Sequence, residues 1–322
     1  MSMAIARRGP TLKPGPARKP RPRLPRKRRK LKHIAVLPSL VTLMNGLCGF
    51  TAIVLASYGL DALVETELLP GVTVSVFALA GYMIFLGMIA DVLDGYVARI
   101  SKSTSSFGAQ LDSLCDVITF GAAPAFLMLK LVEAYSVQFA YYGFPLVPER
   151  VVYLIAVVYV LCVIIRLARF NVENKSDDAH LGFVGLPSPP AAGVIVSLVI
   201  LQQDFMPNLG RWFGIDVSVY DFAMVWILPF VTLLVGLLMV TRIPYPHVVN
   251  RILSGKKRFS TFLLILFVLP LMIWNIQLTM ALGFCFFATY GVVRWLFVLT
   301  FSRKRKEAEA RKAVDRNMGS GI

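Results

Sequence analysis

Residues 91–116 read DVLDGYVARISKSTSSFGAQLDSLCD. An apolar stretch runs into this segment over roughly 73–98 and another leaves it over roughly 107–132, each long enough to cross a bilayer as a helix. Four aspartates, Asp91, Asp94, Asp112 and Asp116, therefore sit at the meeting ends of two membrane spans. An aspartate at membrane depth costs about 2.5–3.5 kcal/mol, so it marks a functional site by default. Four carboxylates brought together repel one another unless cations bind between them.

The spacing brings them together. Positions three or four apart share a helix face, which puts Asp91, Asp94, Gly95 and Ala98 on one face of the second span. Gly108, Asp112 and Asp116 share one face of the third. The intervening RISKSTSSFG is short and polar, so the two faces meet as an antiparallel pair. Oxygen-only donors suit a hard divalent cation, Mg²⁺ or Mn²⁺. Gly95, Ala98 and Gly108 carry little bulk and leave room for a ligand. Arg99 and Lys102 place positive charge at the rim, where a phosphate can be held. The plainer reading, aspartates capping helix ends, suits one residue better than four on two matched faces.

Outward from this block the chain is 57% hydrophobic with a mean hydropathy of +0.67, the composition of an all-α polytopic membrane bundle. Eight apolar stretches are long enough to span: roughly 35–58, 73–98, 107–132, 150–168, 186–203, 221–241, 259–276 and 278–301. None alternates as a barrel strand does. The formal charge of +16 is concentrated in residues 1–32, which hold 13 Lys or Arg and no acid. That concentration argues against nucleic-acid binding by the body of the chain. The Pro-rich basic tail, 1–33, reads as disordered; it serves as a topology signal or lies on anionic lipid. With both termini inside, 30 of the 34 Lys and Arg fall on inner segments, while Lys130, Arg150 and Arg211 fall on outer loops and Arg294 inside the last span. This positive-inside asymmetry puts the aspartates at the cytoplasmic side. The four cysteines lie in apolar segments without metal-ligand spacing, and the three histidines are unpaired, so zinc or histidine-based chemistry is not expected.

The pattern Asp91-x2-Asp94-Gly95-x2-Ala98-Arg99-x8-Gly108-x3-Asp112-x3-Asp116 resembles the signature of the CDP-alcohol phosphotransferases. The resemblance implies a six-helix core, a CDP-alcohol donor, release of CMP, two divalent ions and a homodimer. It implies Asp91, Asp94 and Asp112 as metal ligands, Asp116 as ligand and general base, and Gly95, Arg99 and Ser105 at the CDP moiety beside Ala98 and Gly108. Further segments, LPSLVTLMNGLCGF at 37–50, RLARFN at 166–171, GFVGLPSPPAAG at 182–193 and RIPYPH at 242–247, resemble the bacterial phosphatidylserine synthase branch. The family's Pro-Asn-x2-Thr stands here as Pro38-Ser39-x2-Thr42, which leaves Thr42 and, second to it, Asn45 as cytidine-side candidates.

For this branch the expected substrates are CDP-diacylglycerol and L-serine, in a bacterial cytoplasmic membrane. Arg166, Arg169 and Asn171 suit the serine carboxylate, and Arg242 a lipid phosphate; positive-inside anchoring explains these arginines equally well. A sister transferase using glycerol 3-phosphate, inositol phosphate or choline stays open, and so does a divalent-cation transporter, against which stand the absence of an internal repeat and the placement of the acids near one surface. The expected organisation is a catalytic membrane domain at 34–250, an added helix pair at 251–302 for dimer or lipid contact, and a basic cytoplasmic tail at 303–322.

Overall fold

The computed structural model describes residues 36–59, 66–69, 72–101, 106–141, 143, 147–173, 185–214, 218–243, 245, 266 and 268–319, all within one compact unit from Ala35 to Ile322. The N-terminal tail, Lys102, Ser105 and, within the expected span at 259–276, residues 259–265 and 267 lie outside the described residues. In chain order the elements are α1 (Val36–Ser57), β1 (Thr66–Leu69), β2 (Val72–Val74), α2 (Val76–Ser101), α3 (Ser106–Asp116), a π-helical segment (Val117–Ala122), α4 (Ala123–Tyr141), α5 (Glu149–Glu173), α6 (Ser188–Ile200), a second π segment (Leu201–Phe205), α7 (Met206–Phe213), α8 (Ser218–Val240) and α9 (Ile276–Gly319). β1 and β2 pair antiparallel as a small hairpin between the first two spans.

Among the described residues seven helices are long and apolar enough to cross a membrane. They overlap the first six expected spans and the eighth; within the expected seventh, residues 268–274 are helical. The protein is thus an integral, multi-pass α-helical membrane protein. Its lipid-facing sides are legible as exposed apolar stripes at helical spacing: Leu40, Leu43, Leu47 and Phe50 on α1, Leu154, Val157, Leu161 and Ile165 on α5, and Ile227, Phe230, Leu234 and Leu237 on α8. The opposite faces form one core around Phe77, Ile84, Phe120, Leu127, Leu131, Tyr159, Ile195 and Leu228.

Three expected boundaries shift. The third span runs from Phe107 to Tyr141, so Lys130 lies within a helix rather than in an outer loop. LVEAYSVQFAY contains no helix breaker, and Lys130 is accommodated by Glu133 one turn on, at 2.9 Å, and by the Phe126 ring, 5.9 Å from its ammonium. The fifth span likewise continues through its π segment to Phe213, carrying Arg211 in helix, bonded to Asn208 Oδ1 at 2.8 Å. The last helix is 44 residues long, about 66 Å at 1.5 Å per residue. It continues through the expected C-terminal tail because RKRKEAEARKAVDR is composed largely of strong helix formers.

The last helix packs against the body of the bundle. A Cβ on Gly193 of α6 would lie 2.5 Å from the Phe284 ring of α9, and that ring stacks on Phe85 of α2 with centroids 5.6 Å apart. A second polar layer links α2, the π segment Leu201–Phe205, α8 and α9. Tyr82 Oη donates to Asp204 at 2.9 Å, Gln277 Nε2 donates to Tyr82 Oη at 3.4 Å, and Gln202 Nε2 donates to Asp221 at 3.2 Å. Arg294 of α9 is exposed.

Candidate active site

The site forms where the C-terminal end of α2, all of α3, the first turns of α1 and the last turns of α5 meet. Asp91, Asp112 and Asp116 each offer a carboxylate oxygen, and these oxygens lie within 4.8 Å of one another. Asp94, one turn beyond Asp91, stands within electrostatic range of Asp91 and Asp112. The four carboxylates read from the sequence as one cluster are thus neighbours, with three of them converging most tightly.

α1 supplies the layer behind them. Thr42 Oγ1 donates to Asp94 Oδ2 at 2.5 Å, and Asn45 Nδ2 donates to Asp116 Oδ1 at 3.0 Å. Thr42 is 2% exposed and Asn45 0%. Both are expected on the cytidine side from the sequence, and in the fold both bond carboxylates. Asn45 is itself fixed from the far side, since Thr119 Oγ1 donates to its backbone carbonyl at 2.8 Å.

This contact requires α1 to approach the segment after Asp116 at backbone distance, and three glycines allow it. A Cβ on Gly46 would stand 2.9 Å from Cys115 Sγ, one on Gly49 2.5 Å from Thr119 Oγ1, and one on Gly87 of α2 2.6 Å from Thr119 Cγ2. Thr119 lies in the π segment Val117–Ala122. Such one-turn widenings recur at functional sites. Here it begins immediately after Asp116, and its Phe120 carbonyl accepts a hydrogen bond from the buried Tyr159 hydroxyl at 2.9 Å. None of Gly46, Gly49, Gly87, Thr119 or Tyr159 is evident from the motif; the small-residue spacing Gly46-x2-Gly49 is the one sequence signal that points to a close helix approach.

On the α5 side, Arg166 is half-buried and is an electrostatic neighbour of Asp116. Its Nη1 donates to Ser188 Oγ at 3.0 Å, while its Nε is buried with no hydrogen-bond partner. Asn171 Nδ2 donates to Ser113 Oγ at 2.9 Å and so ties the end of α5 to α3. Arg169 is half-buried on the same helix, and Arg242 is exposed just after α8. Gly95 is exposed, and nothing lies within 4 Å of where its Cβ would be, the open space the sequence anticipates on that face. Ala98 and Arg99 occupy the end of α2 and Gly108 the start of α3.

The donor set fits a hard divalent cation. Three carboxylates ionised within 4.8 Å of one another repel by about 3.5 kcal/mol or more per pair at an effective dielectric of about 20. Asp94 Oδ1 is buried without a hydrogen-bond partner. Oxygen donors of this kind hold Mg²⁺ or Mn²⁺ readily.

If Asn45 sets the orientation of Asp116, then Asn45→Ala lowers kcat about 10- to 100-fold, and Asn45→Asp, which adds a like charge, lowers it further. Steady-state rates at saturating metal check this; an Asn45→Asp variant as active as the parent contradicts it.

A multi-pass helical bundle with converging carboxylates at one end and an arginine beside them is the frame of a membrane-embedded enzyme with a divalent-cation site. The family model described as CDP-alcohol phosphatidyltransferase matches residues 35–234, more than half of the chain, and the protein belongs to that family. Three similar proteins carry the name CDP-diacylglycerol–serine O-phosphatidyltransferase. One from Helicobacter pylori is 31% identical over 223 residues, covering 69% of this chain and 82% of the relative. One from Methanocaldococcus jannaschii is 30% identical over 222 residues, covering 69% and 79%. One from Bacillus subtilis is 33% identical over 173 residues, covering 54% and 78%.

Proposed function

We propose that the protein transfers the phosphatidyl group of CDP-diacylglycerol to the hydroxyl of L-serine, giving phosphatidylserine and CMP, at the cytoplasmic face of a bacterial membrane. The convergence of Asp91, Asp112 and Asp116 within 4.8 Å carries the reading. The names of the similar proteins support the donor and the acceptor, and the buried, unpartnered Nε of Arg166 beside Asp116 supports an anionic group on the acceptor.

Asp91, Asp94, Asp112 and Asp116 hold two divalent ions, whose chemistry when bound is to neutralise the diphosphate and the charge that develops on the departing CMP. Asp116 is the general base. Its Oδ1 is engaged by Asn45, leaving Oδ2 to take the proton of the serine hydroxyl. The serine oxygen forms a bond to the phosphorus bearing the diacylglycerol, the bond from that phosphorus to the CMP oxygen breaks, and CMP leaves with the electron pair. Gly95, Ala98 and Gly108 leave space for the nucleotide, and Arg99 and Ser105 bind its phosphates. Arg166, with Arg169 and Asn171 behind it, receives the serine carboxylate, and Arg242 lies toward the lipid phosphate. Acyl chains remain in the bilayer while CMP and serine exchange with water, and the working form is a homodimer.

Purified protein supplied with CDP-diacylglycerol, Mg²⁺ or Mn²⁺ and one acceptor at a time is expected to release CMP with L-serine and to stop when EDTA is added. CMP release with glycerol 3-phosphate but not with L-serine would overturn the acceptor assignment. No CMP with any acceptor would overturn the transferase reading.

A further inference from the structure

The family match ends at residue 234, yet the arginine beside Asp116 is held from beyond it. Arg166 Nη1 donates to Ser188 Oγ, and Ser188, 1% exposed, is the first residue of α6. The chain enters α6 through Gly185, whose φ of +94° is a left-handed conformation suited to glycine. A Cβ there would also stand 2.4 Å from the Met239 carbonyl oxygen. Gly185 N donates to the Ile243 carbonyl at 2.9 Å, and Leu186 N donates to the Leu238 carbonyl at 3.2 Å. The C-terminal end of α8 and the segment that follows it therefore set where α6 begins.

That segment is in turn fastened to α9. Tyr245, 5% exposed, donates its hydroxyl to the Ala288 carbonyl at 3.1 Å and faces Phe287 with ring centroids 5.9 Å apart. Its ring fills the space above Gly291, where a Cβ would lie 2.1 Å from Tyr245 Cε1. Any side chain larger than hydrogen at Gly291 would have to displace this ring.

We infer that Tyr245, seated on Ala288 and Gly291 of the last helix, is a positioning residue for Arg166. Through Ile243 and Gly185 it fixes the start of α6, and so Ser188, the hydroxyl that aims the guanidinium beside Asp116. The last helix thereby takes part in acceptor recognition without touching substrate. The inference rests on the reading that Arg166 receives the carboxylate of L-serine. Recognition by a guanidinium fork is directional, and a displacement of about 1 Å at such a contact costs up to about 100-fold in rate.

The test uses the full chain and CMP release, varying L-serine at saturating CDP-diacylglycerol and then the reverse. Gly291→Ala, which must push the tyrosine ring aside, and Ser188→Ala are each expected to raise the KM for L-serine about tenfold while leaving the KM for CDP-diacylglycerol within about twofold. Tyr245→Phe, which loses only the hydroxyl bond, raises the L-serine KM about two- to threefold, and it decides the matter if Gly291→Ala does not fold. Gly291→Ala and Tyr245→Phe proteins with an unchanged L-serine KM overturn the inference. So does a fall in kcat with both KM values moved together, the mark of a structural defect. Arg166→Ala separates the two levels. An unchanged L-serine KM there removes the carboxylate role of Arg166, and with it the inference. A raised KM in Arg166→Ala beside unchanged values in the Ser188 and Gly291 variants leaves that role standing and removes the clamp alone.

Discussion

Asp116→Asn is expected to lower CMP release at least about 10³-fold while leaving the protein folded and membrane-integrated. The substitution keeps the size of the side chain and keeps an oxygen able to accept the hydrogen bond from Asn45 Nδ2. What it removes is a negative charge at the point where three carboxylates converge, and with it the group able to take a proton. Asp91→Asn and Asp112→Asn also remove a charge but no base. The proposed division of roles therefore predicts partial recovery of these two at high Mg²⁺ or Mn²⁺ and no recovery of Asp116→Asn. Rates measured across a metal titration test this. An Asp116→Asn protein that regains activity at high metal would show that Asp116 is a ligand only.

Gly49→Ala is expected to destabilise the protein by about 1–3 kcal/mol and to lower activity with it. The new Cβ would lie 2.5 Å from Thr119 Oγ1, 2.6 Å from Thr119 Cα and 2.9 Å from Thr119 N. Two of these atoms are backbone, so a side-chain rotation cannot relieve the overlap; α1 has to move away from the π segment. Because Thr119 Oγ1 holds the Asn45 carbonyl and Asn45 holds Asp116, the movement reaches the proposed base. Gly95→Ala is the contrasting case. With nothing within 4 Å of the new methyl, its thermal midpoint stays unchanged or rises slightly, since Ala is favoured over Gly in a helix by up to about 1 kcal/mol. Any loss of activity in Gly95→Ala then reports on the ligand rather than on the fold. Thermal unfolding in detergent together with CMP release distinguishes the two glycines; equal stability of Gly49→Ala and the parent would contradict the packing account.

The spans were legible wherever a helix faces lipid, because about 20 apolar residues are a one-dimensional signal. α1, α2, α5 and α8 fall close to the stretches read from the sequence. Helix ends were less legible. Lys130 reads as loop charge until Glu133 and Phe126 are seen beside it. The three- and four-residue spacing of Asp91, Asp94, Gly108, Asp112 and Asp116 was enough to draw the carboxylates together, because helical periodicity converts spacing into a shared face.

The surroundings of those carboxylates had no such signal. Thr42 and Asn45 read as residues near a nucleotide and turn out to bond Asp94 and Asp116. Which side chain α1 presents to α3 depends on the rotation and depth at which the two helices pack, and these are set jointly by Gly46, Gly49, Gly87 and a π segment. The linkage from Tyr245 through Gly185 and Ser188 to Arg166 was equally hidden, since it joins parts of the chain through backbone carbonyls that no side-chain pattern encodes. Sequence alone determined the membrane bundle, the four carboxylates and the metal chemistry they suit, because hydropathy and helical period act locally along the chain. Only the tertiary structure decided what stands behind the carboxylates and what aims the arginine, because those are contacts between helices, fixed by how closely their backbones can approach.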